Sequence, residues 1–183
     1  ETDESFNKVK TAGVFVLGLD VSFPPMGFRD KENNIVGFDI DLATEVCARL
    51  GLQLKTQPIS WDAKEQELNT GKIDCIWNGM SVDSARASSM SLSDPYLKTG
   101  MYFVVKDSSL ANMDSLMGKR IALQKGSTSQ DHLVTSKIGM SAKEIIAFED
   151  NLKALAALDS GDVDVVYVDE VIAKYLIYKY KKE

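Results

Sequence analysis

The sequence predicts an α/β fold built on largely parallel sheets. Segments rich in β-branched and bulky apolar residues alternate with segments of helical apolar spacing along the 183 residues. This alternation is typical of parallel strands joined by crossover helices. It is interrupted around Ser93–Thr99, where Asp94-Pro95 marks a turn or an extended segment. We therefore expect two lobes, residues 1–97 and 98–183, with a hinge near residues 95–101.

In the first lobe the clearest element is a helix over Phe38–Leu50. Its apolar residues recur at helical spacing, and Gly51 supplies a C-terminal stop. The other predicted segments are strands at Val14–Leu19, Leu52–Pro58 and Ile73–Trp77, and a helix at Lys64–Asn69.

The second lobe repeats the alternation. Strands are predicted at Met101–Lys106, Arg120–Leu123, Glu144–Phe148 and Val163–Val168, and helices at Ser129–Thr135, Asn151–Leu158 and Glu170–Lys179. In open α/β sheets, ligands bind beyond the carboxyl ends of the strands. The loops after Leu19, Trp77, Leu123 and Val168 are therefore the candidate sites.

Composition excludes some classes of protein and leaves the compartment open. The net charge is −6 and the cations are scattered, which argues against a nucleic-acid binder. The longest apolar runs have the length of strands rather than of membrane spans. The polar, acidic start fits a cytoplasmic protein or a secreted one without its leader.

Cys47 and Cys75 are expected to be small buried hydrophobes, with a disulfide as the alternative.

Two candidate loops belong to the first series of strands. Asp20 to Pro25 combines an acid, the aromatic ring of Phe23 and two prolines that stiffen the backbone. Asn78 to Arg86 supplies small residues, backbone donors and an arginine whose planar fork matches a carboxylate. Each loop also has an ordinary interpretation, as a turn cap or a surface ion pair.

The other two loops belong to the second series. Gly126, Ser127 and Thr128 open a predicted helix, and such a segment is a typical N-cap and anion cradle. Asp169 starts the last predicted helix, where it caps the helix or offers an acid. Taken together, the four loops offer a cationic fork, hydroxyls and acids, a set that pairs both charges of a zwitterion.

The sequence also resembles a known family, the periplasmic and lipoprotein solute-binding proteins for polar amino acids. The resemblance spans essentially the whole chain. It is carried by Gly37 to Leu42, Gly71 to Asp74, Asn78 to Ser81 with Arg86, Leu92 to Tyr96, Gly126 to Thr128, and Asp169-Glu170. Leu92 stands where the family usually has phenylalanine. The fold that this resemblance implies is the two-lobed, type II periplasmic-binding clamshell.

By that resemblance, Arg86 binds the α-carboxylate of the ligand, with help from Ser81 and Thr128, and Ser127 is a further ligand-binding residue. Asp169 takes the α-ammonium group and Gly79 contributes its carbonyl. The side-chain pocket is formed by Asp20, Phe23, Trp61 and Asn78. The acid and the aromatic rings favour a basic amino acid, arginine or lysine, with glutamine and cystine as alternatives.

The resemblance also implies a cellular role. The ligand bridges the lobes, and the closed form is presented to the membrane permease of an ABC importer, outside the cytoplasm or at the cell surface as a lipoprotein. No cofactor or metal is expected. Family members continue several dozen residues further and return to the first lobe. Without that return we expect an exposed apolar face that favours dimerisation or domain swapping.

Two other classes remain open at this stage. An enzyme on the same fold would need a catalytic constellation, and the Ser127–His132 spacing does not place those side chains on one helix face. Converging carboxylates of Asp20, Glu65 and Asp169 are the other catalytic possibility. A sensing domain of a receptor would carry the same residues as a transport protein.

Overall fold

A computed structural model describes residues 4–180 of the chain. It divides into two compact units, the first ending at Asn78 and the second beginning at Gly79. The lobe boundary expected near residues 97 and 98 stays a prediction. Residues 91–100 carry neither helix nor strand.

The first unit contains a parallel sheet and a small antiparallel one. Its elements in chain order are α1 (Ser5–Ala12), β1 (Val14–Leu19), β2 (Ser22–Phe23), β3 (Gly27–Arg29), β4 (Ile35–Val36), α2 (Phe38–Leu50), β5 (Gln53–Pro58), α3 (Lys64–Asn69) and β6 (Cys75–Ile76). A 3-10 turn at Trp61–Ala63 precedes α3. The parallel sheet has the order β5-β1-β6, and β2, β3 and β4 form the antiparallel sheet.

Helix α2 covers the parallel sheet and closes the core of the first unit. Leu17 and Leu19 of β1 are fully buried, and Ile40 and Ala43 of α2 belong to the same apolar cluster. The helix ends as the sequence predicts, because Gly51 adopts a left-handed φ of 67° and its N–H caps the last turn. At the other end, Gly37 has a φ of 137°, and a Cβ there would overlap the Met26 carbonyl oxygen.

The second unit contains one four-stranded sheet. Its elements are α4 (Ser84–Ser89), β7 (Met101–Val104), β8 (Arg120–Gln124), α5 (Thr128–Thr135), α6 (Lys137–Ser141), β9 (Glu144–Phe148), α7 (Asn151–Ser160), β10 (Val165–Asp169) and α8 (Glu170–Tyr180), with 3-10 turns at Ser108–Leu110 and Met113–Leu116. The strand order is β7-β10-β8-β9. Strands β8, β9 and β10 are parallel, whereas β7 runs antiparallel to β10 at the edge.

Local polar contacts fix the ends of these elements. Asp83, Ser127, Ser136 and Asp150 are N-caps whose side chains accept backbone N–H groups. Arg120 at the start of β8 forms a two-pronged ion pair with Asp164, with Nε–Oδ2 and Nη2–Oδ1 distances of 3.1 and 2.8 Å. The apolar core, which includes Ile121, Leu123 and Val165, lies between this sheet and its helices.

The sequence predictions match most of these elements. The helix Phe38–Leu50 and the strand Glu144–Phe148 are confirmed at both ends. The strand expected over Ile73–Trp77 is limited to Cys75–Ile76. The structure adds α1, the small antiparallel sheet, α4 and α6, which the sequence analysis did not predict. Cys47 and Cys75 are both free thiols.

Candidate functional site

At the carboxyl edge of the first sheet, the structure brings Asp20 and Asn78 together. The backbone N–H of Asp20 donates to Oδ1 of Asn78 at 2.9 Å. Oδ1 of Asp20 accepts the N–H of Ser22 at 2.8 Å, which folds the loop over the carboxylate. The two residues are 7% and 4% exposed. Within residues 4–180, Nδ2 of Asn78 is buried and has no hydrogen-bond acceptor.

The two aromatic residues predicted for the pocket follow the ends of neighbouring strands. Phe23 belongs to β2, directly after the loop that leaves β1, and it is buried. Trp61 begins the 3-10 turn after β5, where the N–H of Ile59 donates to the carbonyl of Leu19 at 2.9 Å. Both rings therefore belong to the segments that continue from the edge where Asp20 lies.

The structure adds a charged residue to this group that the sequence analysis did not single out. Lys64, the first residue of α3, is 5% exposed. Its Nζ lies 5.2 Å from the centroid of the Trp61 ring and donates to the Trp61 carbonyl oxygen at 3.3 Å. Glu65, the next residue, is exposed. Lys64 follows Trp61 by three residues, a spacing that is visible in the sequence and that places two side chains on the same face of a helix.

In the second unit, Arg86 is held in place by its own loop. The Asp83 carboxylate caps α4 by accepting the N–H of Arg86 at 2.8 Å, and its other oxygen lies 3.4 Å from Nε of the same arginine. Nη1 donates to the Ser81 carbonyl at 2.8 Å. The guanidinium is buried, with 6% of the side chain exposed.

Asp169, the last residue of β10, lies close to this arginine. Burial raises the pKa of its carboxyl group to about 6. The positive charge of Arg86 and a hydrogen bond with the Ser81 side chain act in the opposite direction and lower this pKa. The structure therefore places Ser81, Arg86 and Asp169 near one another in the second unit, and their role in ligand binding stays a prediction. A buried cation therefore lies near a partly buried carboxyl group.

Ser127 and Thr128 lie at the start of α5. The Ser127 hydroxyl donates to the Gln124 carbonyl at 2.6 Å and lies 2.6 Å from the Ser129 hydroxyl. Thr128 is the first helical residue and is buried. Among residues 4–180 no hydrogen bond joins Ser127 or Thr128 to Arg86. Their part in carboxylate binding, like that of Gly79, which follows Asn78, stays a prediction.

The described residues offer little to the catalytic interpretation. Glu65 is a solvent-facing helix residue, so a buried cluster containing it does not form. No group of three or more His, Cys, Asp or Glu side chains lies together as a metal site within residues 4–180.

Over the same residues, no helix has the length and apolar character that crossing a bilayer requires.

The sequence profile of the bacterial extracellular solute-binding proteins, family 3, matches residues 15–142. The chain belongs to this family. The matched range includes Phe23, Trp61, the Arg86 loop and the start of α5. The type II periplasmic-binding fold expected from the sequence is confirmed by solved structures of the same architecture.

Relatives of this solute-binding protein include proteins named for different amino acids. It is 26% identical to the L-cystine-binding protein TcyJ of Escherichia coli (strain K12) over 94% of the chain. A crystal structure of Tv2483 bound to L-arginine is 31% identical, with a TM-score of 0.92 over 100% of this chain and 75% of that one. A histidine-bound substrate-binding protein of an ABC uptake transporter from Streptococcus pneumoniae is 31% identical, with a TM-score of 0.93 over 99% of this chain and 76% of that one. The chain spans 65% of the length of TcyJ.

Proposed function

We propose that this protein captures a free polar amino acid and delivers it to the membrane permease of an ABC importer. The observation that carries the proposal is the proximity of the Arg86 cation to the Asp169 carboxyl group, with Ser81 in contact with the arginine. An α-amino acid is a zwitterion, and each of its charges needs an opposite partner when it leaves water. Membership of a family of extracellular solute-binding proteins supports the same role.

The chemistry assigns each group of the zwitterion to one side chain. We propose that the Arg86 guanidinium binds the ligand carboxylate, while Nη1 and Nε also hold the loop through the Ser81 carbonyl and Asp83. The ligand ammonium pairs with Asp169 and compensates the desolvation that raises the pKa of this carboxyl group. Ser127 and Thr128 add hydroxyl and backbone donors to the carboxylate, and Gly79 adds a carbonyl to the ammonium group.

We propose that the ligand side chain is received by Asp20, Phe23, Trp61 and Asn78, and that it is basic, arginine or lysine. The buried carboxyl group of Asp20 favours a cationic partner. Solved relatives of the same architecture hold L-arginine and histidine, which supports a nitrogen-rich side chain. The protein would act outside the cytoplasm, free or anchored as a lipoprotein, and would bind its ligand without chemical change.

A thermal-shift screen against the twenty amino acids, cystine and ornithine tests this function. Binding to the folded state raises the melting temperature by mass action. We expect a rise with basic amino acids for the wild type, no rise for Arg86→Ala, and a wild-type rise for Arg49→Ala, which removes an exposed arginine. Mass spectrometry should recover the ligand unchanged. The absence of a shift with every amino acid would overturn the proposal, and chemical conversion would favour an enzyme.

A further inference from the structure

Asp83 contacts Arg86 at both its backbone and its side chain. One carboxylate oxygen of Asp83, Oδ1, accepts the backbone N–H of Arg86 at 2.8 Å, and the other, Oδ2, lies 3.4 Å from Nε of the same arginine. Nη1 of the guanidinium donates to the Ser81 carbonyl oxygen at 2.8 Å. All three residues belong to the second unit. Two of the three guanidinium nitrogen atoms are therefore held by residues of the loop that precedes the arginine.

The same arrangement, an N-cap aspartate with a cation three residues later, occurs a second time in this unit. Asp150 accepts the N–H of Lys153 at 2.8 Å, and its other oxygen lies 3.3 Å from the Lys153 ammonium group. The Lys153 side chain is 56% exposed, whereas that of Arg86 is 6% exposed. An exposed ion pair contributes little because water screens it, but a buried cation needs an acceptor for its charge. The contact with Asp83 therefore restricts its cation more than the contact with Asp150 does.

We infer that Asp83 is a positioning residue for amino-acid binding, which fixes the direction of the Arg86 guanidinium before the ligand carboxylate arrives. This inference rests on the proposed function, in which Arg86 binds that carboxylate. A planar guanidinium forms two parallel hydrogen bonds with a carboxylate only in a defined orientation. Ordering a flexible side chain on binding costs free energy, and a side chain that is already ordered in the ligand-free protein avoids that cost.

Removing the Asp83 carboxylate has two opposing effects on affinity, and the loss of orientation should be the larger. The negative charge of Asp83 repels the ligand carboxylate, but it also attracts the ligand ammonium, so the two interactions largely cancel for a zwitterion. Without Asp83, the guanidinium loses one of its two contacts with the loop. The Asp169 carboxyl group, which is assigned to the ligand ammonium, already interacts electrostatically with Arg86. A closer pair between Arg86 and Asp169 would withdraw both groups from the ligand.

Calorimetric titration of the intact chain with L-arginine tests the inference, and the amino acid with the largest thermal shift replaces L-arginine if that one does not bind. Asp83→Ser keeps an oxygen that caps α4 but lacks the second carboxylate oxygen. Its affinity should be about three- to tenfold lower than that of the wild type, the range expected when one flexible side chain must be ordered on binding. Asp83→Asn also keeps a capping oxygen and should lose affinity in the same range, so the test holds even if one variant folds poorly. The matched control Asp150→Ser should bind as the wild type does.

The effect of Asp83 should depend on the presence of the arginine. Lysine has no planar fork to orient, so in an Arg86→Lys background Asp83→Ser should lower the affinity by less than about twofold. A contribution of Asp83 to folding alone would give the same loss in both backgrounds. Equal losses in the two backgrounds, or wild-type affinity in both Asp83 variants, would overturn the inference alone. Failure of the wild type to bind every amino acid of the screen would overturn the proposed function, and this inference with it.

Discussion

Lowering the pH from 8 to 5 should weaken amino-acid binding and stabilise the ligand-free protein, because both effects depend on Asp169. Burial raises the pKa of this carboxyl group from 3.8 to about 6. One pKa unit corresponds to about 1.4 kcal/mol, so keeping the group ionised costs about 3 kcal/mol of folding free energy at pH 8. Between pH 4 and 6 the folded state holds a proton that the unfolded state has released. The free energy of unfolding contributed by Asp169 therefore rises as the pH falls through 6, and it levels off below about 4.

Ligand binding should respond in the opposite direction. The ligand ammonium needs the ionised carboxylate, so its affinity should fall by about tenfold for each pH unit below 6. Asp169→Asn imitates the protonated form. We expect this variant to bind weakly at every pH and to exceed the wild type in stability at pH 8 by up to about 3 kcal/mol, a difference that disappears near pH 4.

Denaturant unfolding of the ligand-free protein and calorimetric titration with ligand, both from pH 8 to 4, measure the two effects. At each pH, the free energy of unfolding and the ligand affinity are compared between wild type and Asp169→Asn, because the contributions of the other acids are the same in both proteins and cancel in the difference. Asp131→Asn, which neutralises an exposed acid of the same unit, should follow the wild type. An NMR titration that places the pKa of Asp169 near 4, or identical pH profiles for wild type and Asp169→Asn, would refute the reasoning.

Three further predictions concern single contacts. Arg86→Lys keeps the charge but loses the planar fork, so calorimetry should show affinity falling by about a hundredfold, and a loss under fivefold would contradict a two-pronged contact. Asp164→Asn breaks the ion pair with Arg120 and should lower the free energy of unfolding by about 1–2 kcal/mol at pH 7. Because Arg120 lowers the pKa of Asp164 to about 2, that loss should vanish as the pH falls from 4 towards 2. In denaturant titrations, Gly37→Ala should lower the free energy of unfolding by about 3 kcal/mol or more, because the added Cβ meets the Met26 carbonyl oxygen. Gly51→Ala should lower it by only about 1 kcal/mol, because a Cβ there meets open space. Equal losses in the two variants would show that the Met26 carbonyl moves aside.

Elements with a strong local signal were predictable from the sequence, and elements that depend on tertiary contacts were not. Helix Phe38–Leu50 combines apolar periodicity with a glycine stop, so its two ends agree between sequence and structure. Strands β2, β3 and β4 are two or three residues long, too short to show alternation, and they form because they pair with one another. Helix α4 has six residues, and its Asp83 cap was not singled out.

The same distinction applies to the candidate site. Arg86, Ser81 and Asp169 were each predicted as ligand-binding residues, and the structure places them near one another in the second unit, while their role in binding stays a prediction. Lys64 was placed only as the first residue of a helix, because a sequence does not distinguish a lysine folded over an indole from one extended into water. Its three-residue spacing from Trp61 was visible, but the burial that gives the spacing its meaning depends on the folded unit.

The antiparallel pairing of β7 has a consequence for measuring local motion. Met101 is in register with Asp169, and the N–H of Glu170 donates to the carbonyl of Gly100 at 2.8 Å. The Glu170 amide, one position from the Asp169 carboxylate, is thus protected from exchange with solvent by the carbonyl of Gly100, the last residue of the segment 91–100. Its deuterium uptake should report separation of that segment from β10, so one amide can serve as a native probe of opening next to Asp169.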